Sequence, residues 1–499
     1  MTGANSGASL TSRVVKGTAW LVAARFSMRA IGFLNTVLVA RLLLPEDFGL
    51  VAIGIAAMQL IQGFSNIGLA QAVIKFHDAS EDDYNTLFTV SFARGVLIGV
   101  LLLALGPLVA QIYGDQRLIL LFAAIAIYPV LLGMMNPRFY EFERALDYSR
   151  EFIATVADKM VAVSVSITIA LIFRSYWALV AGLLAGGLTM MLVSYIVKPV
   201  LPSLTLKSWR RVLGFSGWLT GLSFLVALNN KLDMFVLARY IGVGATGIYS
   251  LGTQFAGQIT SELAEPLARA IYPGLSELRE RAEDMRRAFL GGVSAVAAIA
   301  LPAAFGMSFV AHDLVAIVLG EKWRAAVPVL QWMAPALGAQ AMMLSMHYYA
   351  IARDKIPLLC VRELVVVCVK LPVFIWASAN YGLTGAIYAA SSAGMFHMTM
   401  QLFLYAKVAN DAFWRPIAVA WRSIAGVMGM AVWFLGVRQS LIPLDQVPIF
   451  FRLVLDIAVG GTLYVATHLL VWIAVGRPDG VERRVLKMVD GFVPISLVK

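Results

Sequence analysis

The chain has 499 residues, 60% of them hydrophobic and 14% charged, with a formal net charge of +11 and a mean hydropathy of +0.80. Soluble domains are about 45–50% apolar and about 25% charged, so this composition excludes a soluble domain as the bulk of the chain. The Lys and Arg residues lie in short gaps between apolar runs rather than on one basic face, which argues against nucleic acid as a partner.

Apolar runs follow one another along the whole chain, each near the roughly 20 residues that a helix needs to cross about 30 Å of hydrocarbon. They predict an all-α polytopic membrane protein with about fourteen transmembrane helices. By the positive-inside rule, the excess of Lys and Arg in alternate loops predicts that both termini face the cytoplasm. The predicted spans are residues 18–40, 49–74, 85–112, 117–136, 152–174, 176–198, 212–238, 247–268, 287–310, 327–351, 357–378, 383–407, 416–436 and 450–475.

An internal duplication relates the first two spans to the seventh and eighth. LVARLLLPEDFG at 38–49 aligns without a gap with VLARYIGVGATG at 236–247, and Gly49 then matches Gly247 at an offset of 198 residues. Six spans separate the copies, so both have the same orientation and the repeat is of the parallel kind. The duplication predicts two pseudo-symmetric six-helix lobes that face a central cavity.

The predicted boundaries divide the chain into three parts. An N-terminal six-helix lobe covers residues 1–203, and a C-terminal six-helix lobe covers residues 204–410. The last two spans, within residues 411–499, lie outside the duplication and form an additional helix pair with a cytoplasmic tail.

Four segments resemble the Wzx-type polysaccharide flippases of the multidrug/oligosaccharidyl-lipid/polysaccharide exporter superfamily. They are VVKGTAW (14–20), VARLLLPEDFGLVAI (39–53), GLAQAVIKF (68–76) and LDMFVLARYIGVGATGIYSLG (232–252). The similarity covers both lobes and is a pattern of small and apolar residues rather than a catalytic signature.

This resemblance implies a MATE-like pair of helical bundles and a lipid-linked oligosaccharide of the undecaprenyl diphosphate type as cargo. Transport would run by alternating access, from the cytoplasmic to the periplasmic leaflet of the bacterial inner membrane, for exopolysaccharide, O-antigen or capsule synthesis. It also implies a polysaccharide polymerase and chain-length proteins as partners. The additional helix pair is usual in the lipid-glycan branches and absent from the twelve-helix drug-exporting branch, which favours a glycan cargo.

Cationic side chains inside the predicted spans are candidates for binding the cargo diphosphate. Arg25 and Arg29 are spaced i, i+4 and share one face of the first span, where arginine forks would suit phosphate oxygens. Snorkelling of these side chains to the headgroups explains the pair equally well, and ion pairing within a lobe is the alternative for Arg94 and Lys370. The cationic candidates are Arg25, Arg29, Arg94, Lys231, Arg269 and Lys370.

Polar side chains in three spans predict a hydrated lining. The eighth span has a stripe at three- and four-residue spacing that lipid would not accept, so it lines a cavity or packs against polar groups in the bundle. The second and seventh spans carry further polar residues, for which interhelical hydrogen bonds or an interfacial cluster are the alternatives. The predicted lining is Gln59, Gln62, Asn66, Asn229, Asn230, Gln254, Gln258 and Ser261, with Asp233, Glu262 and Glu265 as candidates for ion coupling, although Glu262 and Glu265 could instead pair with Arg269.

The sequence contains no Walker A loop, no Gly-rich nucleotide fingerprint, no HExxH and no Cys/His cluster, so no catalytic residue, metal or cofactor is predicted. A cation-exporting multidrug transporter of the same superfamily is the main alternative to a flippase. A glycan polymerase or ligase fits less well, because such enzymes typically carry a large periplasmic loop and the longest outer loop here covers only about residues 311–326.

Overall fold

The computed structural model describes residues 30–65, 80–144, 148–210, 217–438, 447–478 and 482–483, and every regular element in these ranges is helical. Within them, seven helices are long and apolar enough to cross a membrane, and three shorter apolar helices accompany them. The prediction of an all-α polytopic membrane protein is therefore confirmed.

The chain folds into two compact units, Met1–Gly247 and Ile248–Lys499. The described helices of the first unit are α1 (Ala30–Leu42), α2 (Pro45–Phe64), α3 (Glu81–Tyr113), α4 (Arg117–Gly133), α5 (Tyr140–Arg144), α6 (Tyr148–Phe173), α7 (Trp177–Val197) and α8 (Gly217–Tyr240). Helix α9 (Val243–Glu277) begins in the first unit and continues in the second.

The second unit contains the rest of α9 and seven further described helices. They are α10 (Ala282–Val318), α11 (Val327–Met342), α12 (Ser345–Ala352), α13 (Ile356–Ala409), α14 (Arg415–Val419), α15 (Trp421–Val437) and α16 (Ile449–Ala474).

Each of the fourteen predicted spans overlaps a described helix, but several boundaries differ. Helices α9 and α10 extend beyond their predicted spans, because a helix keeps its backbone hydrogen bonds where its side chains become polar and so does not end with the apolar run. The predicted span 327–351 is divided between α11 and α12. The predicted spans 357–378 and 383–407 both lie in α13, and non-helical backbone at Gly382, where φ is +59°, separates them as predicted.

The helix boundaries repeat the offset found in the sequence. Helix α1 ends at Leu42 and α8 at Tyr240, while α2 begins at Pro45 and α9 at Val243, and both pairs differ by 198 residues (240 − 42 and 243 − 45). The helices that follow keep the same order in the two halves. The duplication is therefore a property of the fold as well as of the sequence.

A reciprocal contact joins the first turns of α2 and α9. A Cβ atom on Gly49 would lie 1.9 Å from the carbonyl oxygen of Val243, and one on Gly247 would lie 1.8 Å from the carbonyl oxygen of Pro45. Val243 is the repeat counterpart of Pro45, as Gly247 is of Gly49, so one backbone contact is made twice. Only glycine permits so close an approach of two helices.

Side-chain hydrogen bonds fix the start of α2 against the rest of the first unit. The carboxylate of Asp47 accepts a hydrogen bond from the backbone N–H of Leu44 at 3.0 Å, which satisfies a helix-terminal donor, and another from the N–H of Tyr176 at 3.0 Å. The buried side chains that follow in α2 pack against α4 in an apolar core that includes Leu50, Ile53 and Phe122.

The C-terminal helix pair, α15 and α16, packs against α10. Polar contacts hold it there: Arg452 donates two hydrogen bonds of 2.5 Å to Asp313, and Tyr464 donates one of 2.9 Å to the carbonyl oxygen of Ala298. Within the pair, Arg438 donates to both oxygens of Asp456 at 2.8 and 2.5 Å.

A salt-bridge network ties the segment after α7 to the start of α5. Lys198 donates a hydrogen bond of 2.8 Å to Glu141, which also lies 3.4 Å from Arg138. Burial raises the pKa of Glu141, but the hydrogen bonds from Lys198 and Tyr84 and the charges of Lys198 and Arg138 lower it more, so the pKa lies below its ordinary value.

We expect Gly49→Ala and Gly247→Ala each to destabilise the protein by at least about 1–3 kcal/mol, because the added methyl group overlaps a carbonyl oxygen. The measurement is the thermal unfolding midpoint of the detergent-purified protein. Gly244→Ala is the matched control, since its Cβ would lie 3.5 Å from the Cγ atom of Glu46, an ordinary van der Waals distance. Equal midpoints for all three variants would contradict the reciprocal contact.

The ion pairs of Glu141 should make stability depend on pH. A carboxyl group whose pKa is lowered on folding stabilises the protein above its unfolded pKa, about 4.3 for Glu, and loses that contribution as the pH falls through the lower folded value. Glu141→Gln should therefore be less stable than the wild type at pH 7 and approach it in acid. A difference that stays constant between pH 7 and pH 3 would show that the charge of Glu141 has no such role.

Candidate functional site

Helices α2 and α8 form a closely packed antiparallel pair in the first unit. A Cβ atom on Gly63 would lie 2.7 Å from the Cβ of Ala227, and the rings of Phe64 and Phe224 meet edge to face at 5.5 Å. One helical turn from this contact, the register places Gln59 level with Asn230. Polar residues of the two spans, predicted separately from the sequence, therefore lie at a similar height along the helix pair.

The polar segment of α8 has a buried side and an accessible side. Asn229 and Asp233, spaced i, i+4, are 9% and 7% exposed, whereas Asn230 is exposed and Lys231 is half-buried. Asn229 and Asp233 both interact with neighbouring groups. Asn230 and Lys231 are therefore the more exposed residues of this polar segment, and Asn229 and Asp233 are the buried ones.

Two of the candidate cations, Arg94 and Lys231, lie in spans of the first unit. Within the described residues, neither Arg94 nor Lys231 forms a salt bridge. Lys231 has an electrostatic interaction with Asp233, two residues further along the chain. The residue after Arg94 packs against the next helix: a Cβ atom on Gly95 would lie 2.4 Å from the carbonyl oxygen of Pro129. Arg94 is half-buried at this helix crossing.

The remaining predicted residues are placed in part. Gln59 and Gln62 on α2, Gln258 and Glu265 on α9 and Lys370 on α13 are half-buried, and Gln254 is exposed. The Oε1 atom of Gln258 has no hydrogen-bond partner among the described residues, whereas Glu265 and Lys370 have partners. Outside the described residues or side chains lie Arg25, Arg29, Asn66, Ser261, Glu262 and Arg269.

A buried polar cluster in the second unit was not selected from the sequence. Glu363 is 2% exposed and accepts a hydrogen bond of 2.5 Å from Arg362, which is 8% exposed. The Nε2 atom of His397 lies 3.4 Å from the same carboxylate, and its Nδ1 atom lies 3.1 Å from the Oε1 atom of Gln340. The Arg–Glu pair is recognisable in the sequence, but its proximity to His397 depends on how two halves of α13 meet α11.

This cluster balances its charges internally, because Arg362 and Glu363 neutralise each other. It therefore differs from Arg94 and Lys231 in the first unit, which form no salt bridge among the described residues. Among the described residues, no group of three His, Cys, Asp or Glu side chains is placed to hold a metal ion.

The repeated helical fold and the charged groups inside its spans define a polytopic membrane protein. The profile of the polysaccharide biosynthesis protein family matches residues 38–328. The chain belongs to that family, which confirms the resemblance seen in the sequence.

Two relatives illustrate the range of the family. The lipopolysaccharide biosynthesis protein WzxC of Escherichia coli is 26% identical over 331 residues, which make up 65% of this chain and 66% of WzxC. The succinoglycan biosynthesis transport protein ExoT of Rhizobium meliloti is 22% identical over 330 residues, again 65% of this chain and 66% of the relative. The matched region thus spans just under two thirds of either relative.

Solved structures with low sequence identity share the fold. The lipid II flippase MurJ in its inward closed conformation aligns with a TM-score of 0.72 at 14% identity, over 91% of this chain and 99% of MurJ. An inward-facing MATE multidrug resistance transporter aligns with a TM-score of 0.61 at 13% identity, over 78% of this chain and 98% of the transporter. The predicted MATE-like fold is confirmed.

Removing one partner of the buried Arg362–Glu363 pair should be costly. We expect Glu363→Gln to destabilise the protein by about 3–5 kcal/mol, because the guanidinium of Arg362 would remain buried without a carboxylate, and Arg362→Met in the same chain should recover most of the loss. Arg287→Gln is the control, since its pair with Asp284 is exposed and should contribute less than about 1 kcal/mol. Unfolding midpoints in detergent measure all four proteins, and additive losses in the double variant would contradict the pairing.

Proposed function

We propose that this chain is a flippase that moves an undecaprenyl-diphosphate-linked oligosaccharide from the cytoplasmic to the periplasmic leaflet of the bacterial inner membrane, with both termini in the cytoplasm. The family and the relatives' names, which include a lipopolysaccharide biosynthesis protein, a succinoglycan transport protein and a probable flippase of Haloferax volcanii, support this proposal. The observation that carries it is the pair of span cations Arg94 and Lys231, which form no salt bridge among the described residues.

The charge of the cargo explains why such cations would be retained. A charged side chain at the centre of a bilayer costs at least about 2.5–3.5 kcal/mol on insertion scales, so an unpaired one is maintained where water or an anionic ligand meets it. The negative charges of a diphosphate are also costly to place at the centre of a bilayer. Arginine and lysine donate charge-assisted hydrogen bonds to phosphate oxygens, and cargo and protein would then lower each other's desolvation cost.

Transport would proceed by alternating access of two lobes, 1–203 and 204–410, with the helix pair within 411–499 outside the moving core. The prenyl chain would remain in lipid while the diphosphate and sugars cross in a hydrated cavity. Synthesis of the cargo on one side and its consumption by a polymerase with chain-length proteins on the other would drive the direction. The proposed cavity residues beyond Arg94 and Lys231 are Arg25, Arg29, Arg269 and Lys370 as cations, Gln59, Gln62, Asn66, Asn229, Asn230, Gln254, Gln258 and Ser261 as polar lining, and Asp233, Glu262 and Glu265 as ion-coupling groups.

Export of cationic drugs fits the described charges less well. Such a transporter needs carboxylates that can bind a cation, whereas Glu363 is paired with Arg362 and Asp456 with Arg438. An organic cation would have to displace an arginine from either carboxylate. The relation to the MATE transporter in fold alone does not favour a drug cargo.

Deleting the gene and analysing lipid-linked glycan together with surface polysaccharide tests the proposed function. We expect undecaprenyl-diphosphate-linked repeat units to accumulate in the cytoplasmic leaflet and surface polymer to disappear, with both restored by the wild-type gene. Normal glycan lipid and normal polymer in the deletion strain would refute a flippase for this cargo, and drug susceptibility of the same strain would then test the alternative.

A flipping assay with substituted proteins tests the two cations. Arg94→Ala and Lys231→Ala should each weaken cargo binding about ten- to a hundredfold, the value of a hydrogen bond to a charged group. Flipping by the purified protein in vesicles measures the effect at limiting cargo concentration. Arg324→Ala removes an exposed charge elsewhere and should leave the rate unchanged. Wild-type rates for both span variants would refute their role while leaving the flippase function intact.

A further inference from the structure

The segment that connects α7 to α8 is held along one side of α3. We call residues 198–210 the connector. Its backbone N–H groups at Ser203, Thr205 and Ser208 donate hydrogen bonds of 2.8, 2.9 and 3.2 Å to side chains on α3. The acceptors on α3 are Asn85, Thr89 and Thr86, respectively.

Another side chain holds the first residues of the connector. Asn136 donates hydrogen bonds of 2.7 and 3.0 Å to the carbonyl oxygens of Lys198 and Val200. Residues 198–208 of the connector therefore have a fixed path without forming a helix or strand. Its polar backbone groups face the protein, and its apolar side chains are left on the other side.

The outward side of the connector is unusually apolar. Leu201, Leu204 and Leu206, here called the outward leucines, are 86%, 68% and 54% exposed, and Trp209 is 48% exposed. A surface of this kind is unfavourable in water but matches a bilayer interface, where tryptophan is enriched. The outward leucines thus indicate lipid rather than cytosol as their surroundings.

The position of the connector along α3 also indicates that the connector lies at a bilayer interface. Helix α3 begins with the acidic residues Glu81, Asp82 and Asp83, and from Leu87 to its end Arg94 is its one charged residue. The three acceptors for the connector lie at this transition from charged to apolar, which is where a spanning helix meets the headgroup region.

Basic side chains accompany the outward leucines. The side chain of Lys207 is 72% exposed and lies 3.5 Å from Asp82, and the Arg210 guanidinium lies 5.5 Å from the centre of the Trp209 ring. Cations close to a bilayer surface attract anionic headgroups. An acidic protein could use the same charges, but it would leave the outward leucines without an apolar environment unless it also covered them.

We propose that the connector is an interfacial anchor: Lys207 and Arg210 bind the headgroups of anionic phospholipids while the outward leucines enter the adjoining acyl region. The anchor fixes the first unit at a defined depth through α3. This role does not require the cargo to be a lipid-linked glycan, so it can be tested apart from the proposed function.

A fluorescent label tests the depth of the connector. In the full chain with Cys360→Ser and Cys368→Ser, Leu204→Cys would be labelled with a nitrobenzoxadiazole group and reconstituted into vesicles of phosphatidylcholine and phosphatidylglycerol. We expect quenching by nitroxide lipids and little by aqueous iodide, and Leu206→Cys should behave alike. Glu280→Cys, at an exposed position between α9 and α10, should show the reverse. Iodide quenching at 204 and 206, or shielding from both quenchers, would overturn the anchor, the latter by showing a protein cover.

Headgroup preference tests the cations. Quenching of the label at 204 by spin-labelled phosphatidylglycerol should indicate about fivefold stronger association than with spin-labelled phosphatidylcholine, the effect of one effective cation at the surface. Lys207→Gln with Arg210→Gln should abolish the preference. Lys322→Gln with Arg324→Gln, which removes two charges from another loop, should retain it. Equal association of both lipids with the unsubstituted connector would overturn the proposed headgroup binding.

Discussion

The close backbone contact between α2 and α9 is the constraint on which the arrangement of the first unit depends. Gly49 and Gly247 allow the carbonyl oxygens of Val243 and Pro45 to approach where any side chain would collide. Because the contact is made twice, once by each copy of the repeat, neither helix can shift along the other without losing both halves. The level at which α8 meets α2 follows from it, and this level places Gln59 at about the height of Asn230.

The duplication supplies two similar scaffolds, and the charged residues distinguish them. The second unit neutralises Arg362 with Glu363, whereas Arg94 and Lys231 in the first unit form no salt bridge among the described residues. A buried ion pair gains little net stability over apolar packing, but it is inert towards ligands unless one partner is removed. Under the proposed function, the anionic cargo would bind to the unit whose span cations form no salt bridge among the described residues.

Hydropathy and the repeat predicted most of the fold, because both depend on residues that are near in sequence or related by one offset. The alignment of PEDFG (45–49) with VGATG (243–247) predicted that Gly49 and Gly247 are equivalent. It did not predict that each glycine lies against the backbone of the other helix. Hydropathy also separated the spans 357–378 and 383–407, and the backbone of α13 leaves helical geometry at Gly382, between them. The cluster of Glu363 with His397 was not predicted, because 34 residues (397 − 363) separate them and only the crossing of helices brings them together. The split of α8 into a buried and an accessible side depends on packing against α2, which the polar composition of the segment does not specify.

If the proposed flippase recognises its cargo mainly by the charge of the diphosphate, it would discriminate only weakly among the sugars. A guanidinium or ammonium group that binds a diphosphate identifies the part common to prenyl-linked glycans and makes no demand on the sugars. Differences among sugars would then be read by uncharged groups such as Asn230 and Gln59, whose hydrogen bonds in water contribute only about 0.5–1.5 kcal/mol each. Affinity would come mainly from the cations and specificity from the amides. Because the hydrogen bonds of the amides contribute less than those of the cations, the preference for one glycan over another would be weaker than the requirement for the diphosphate.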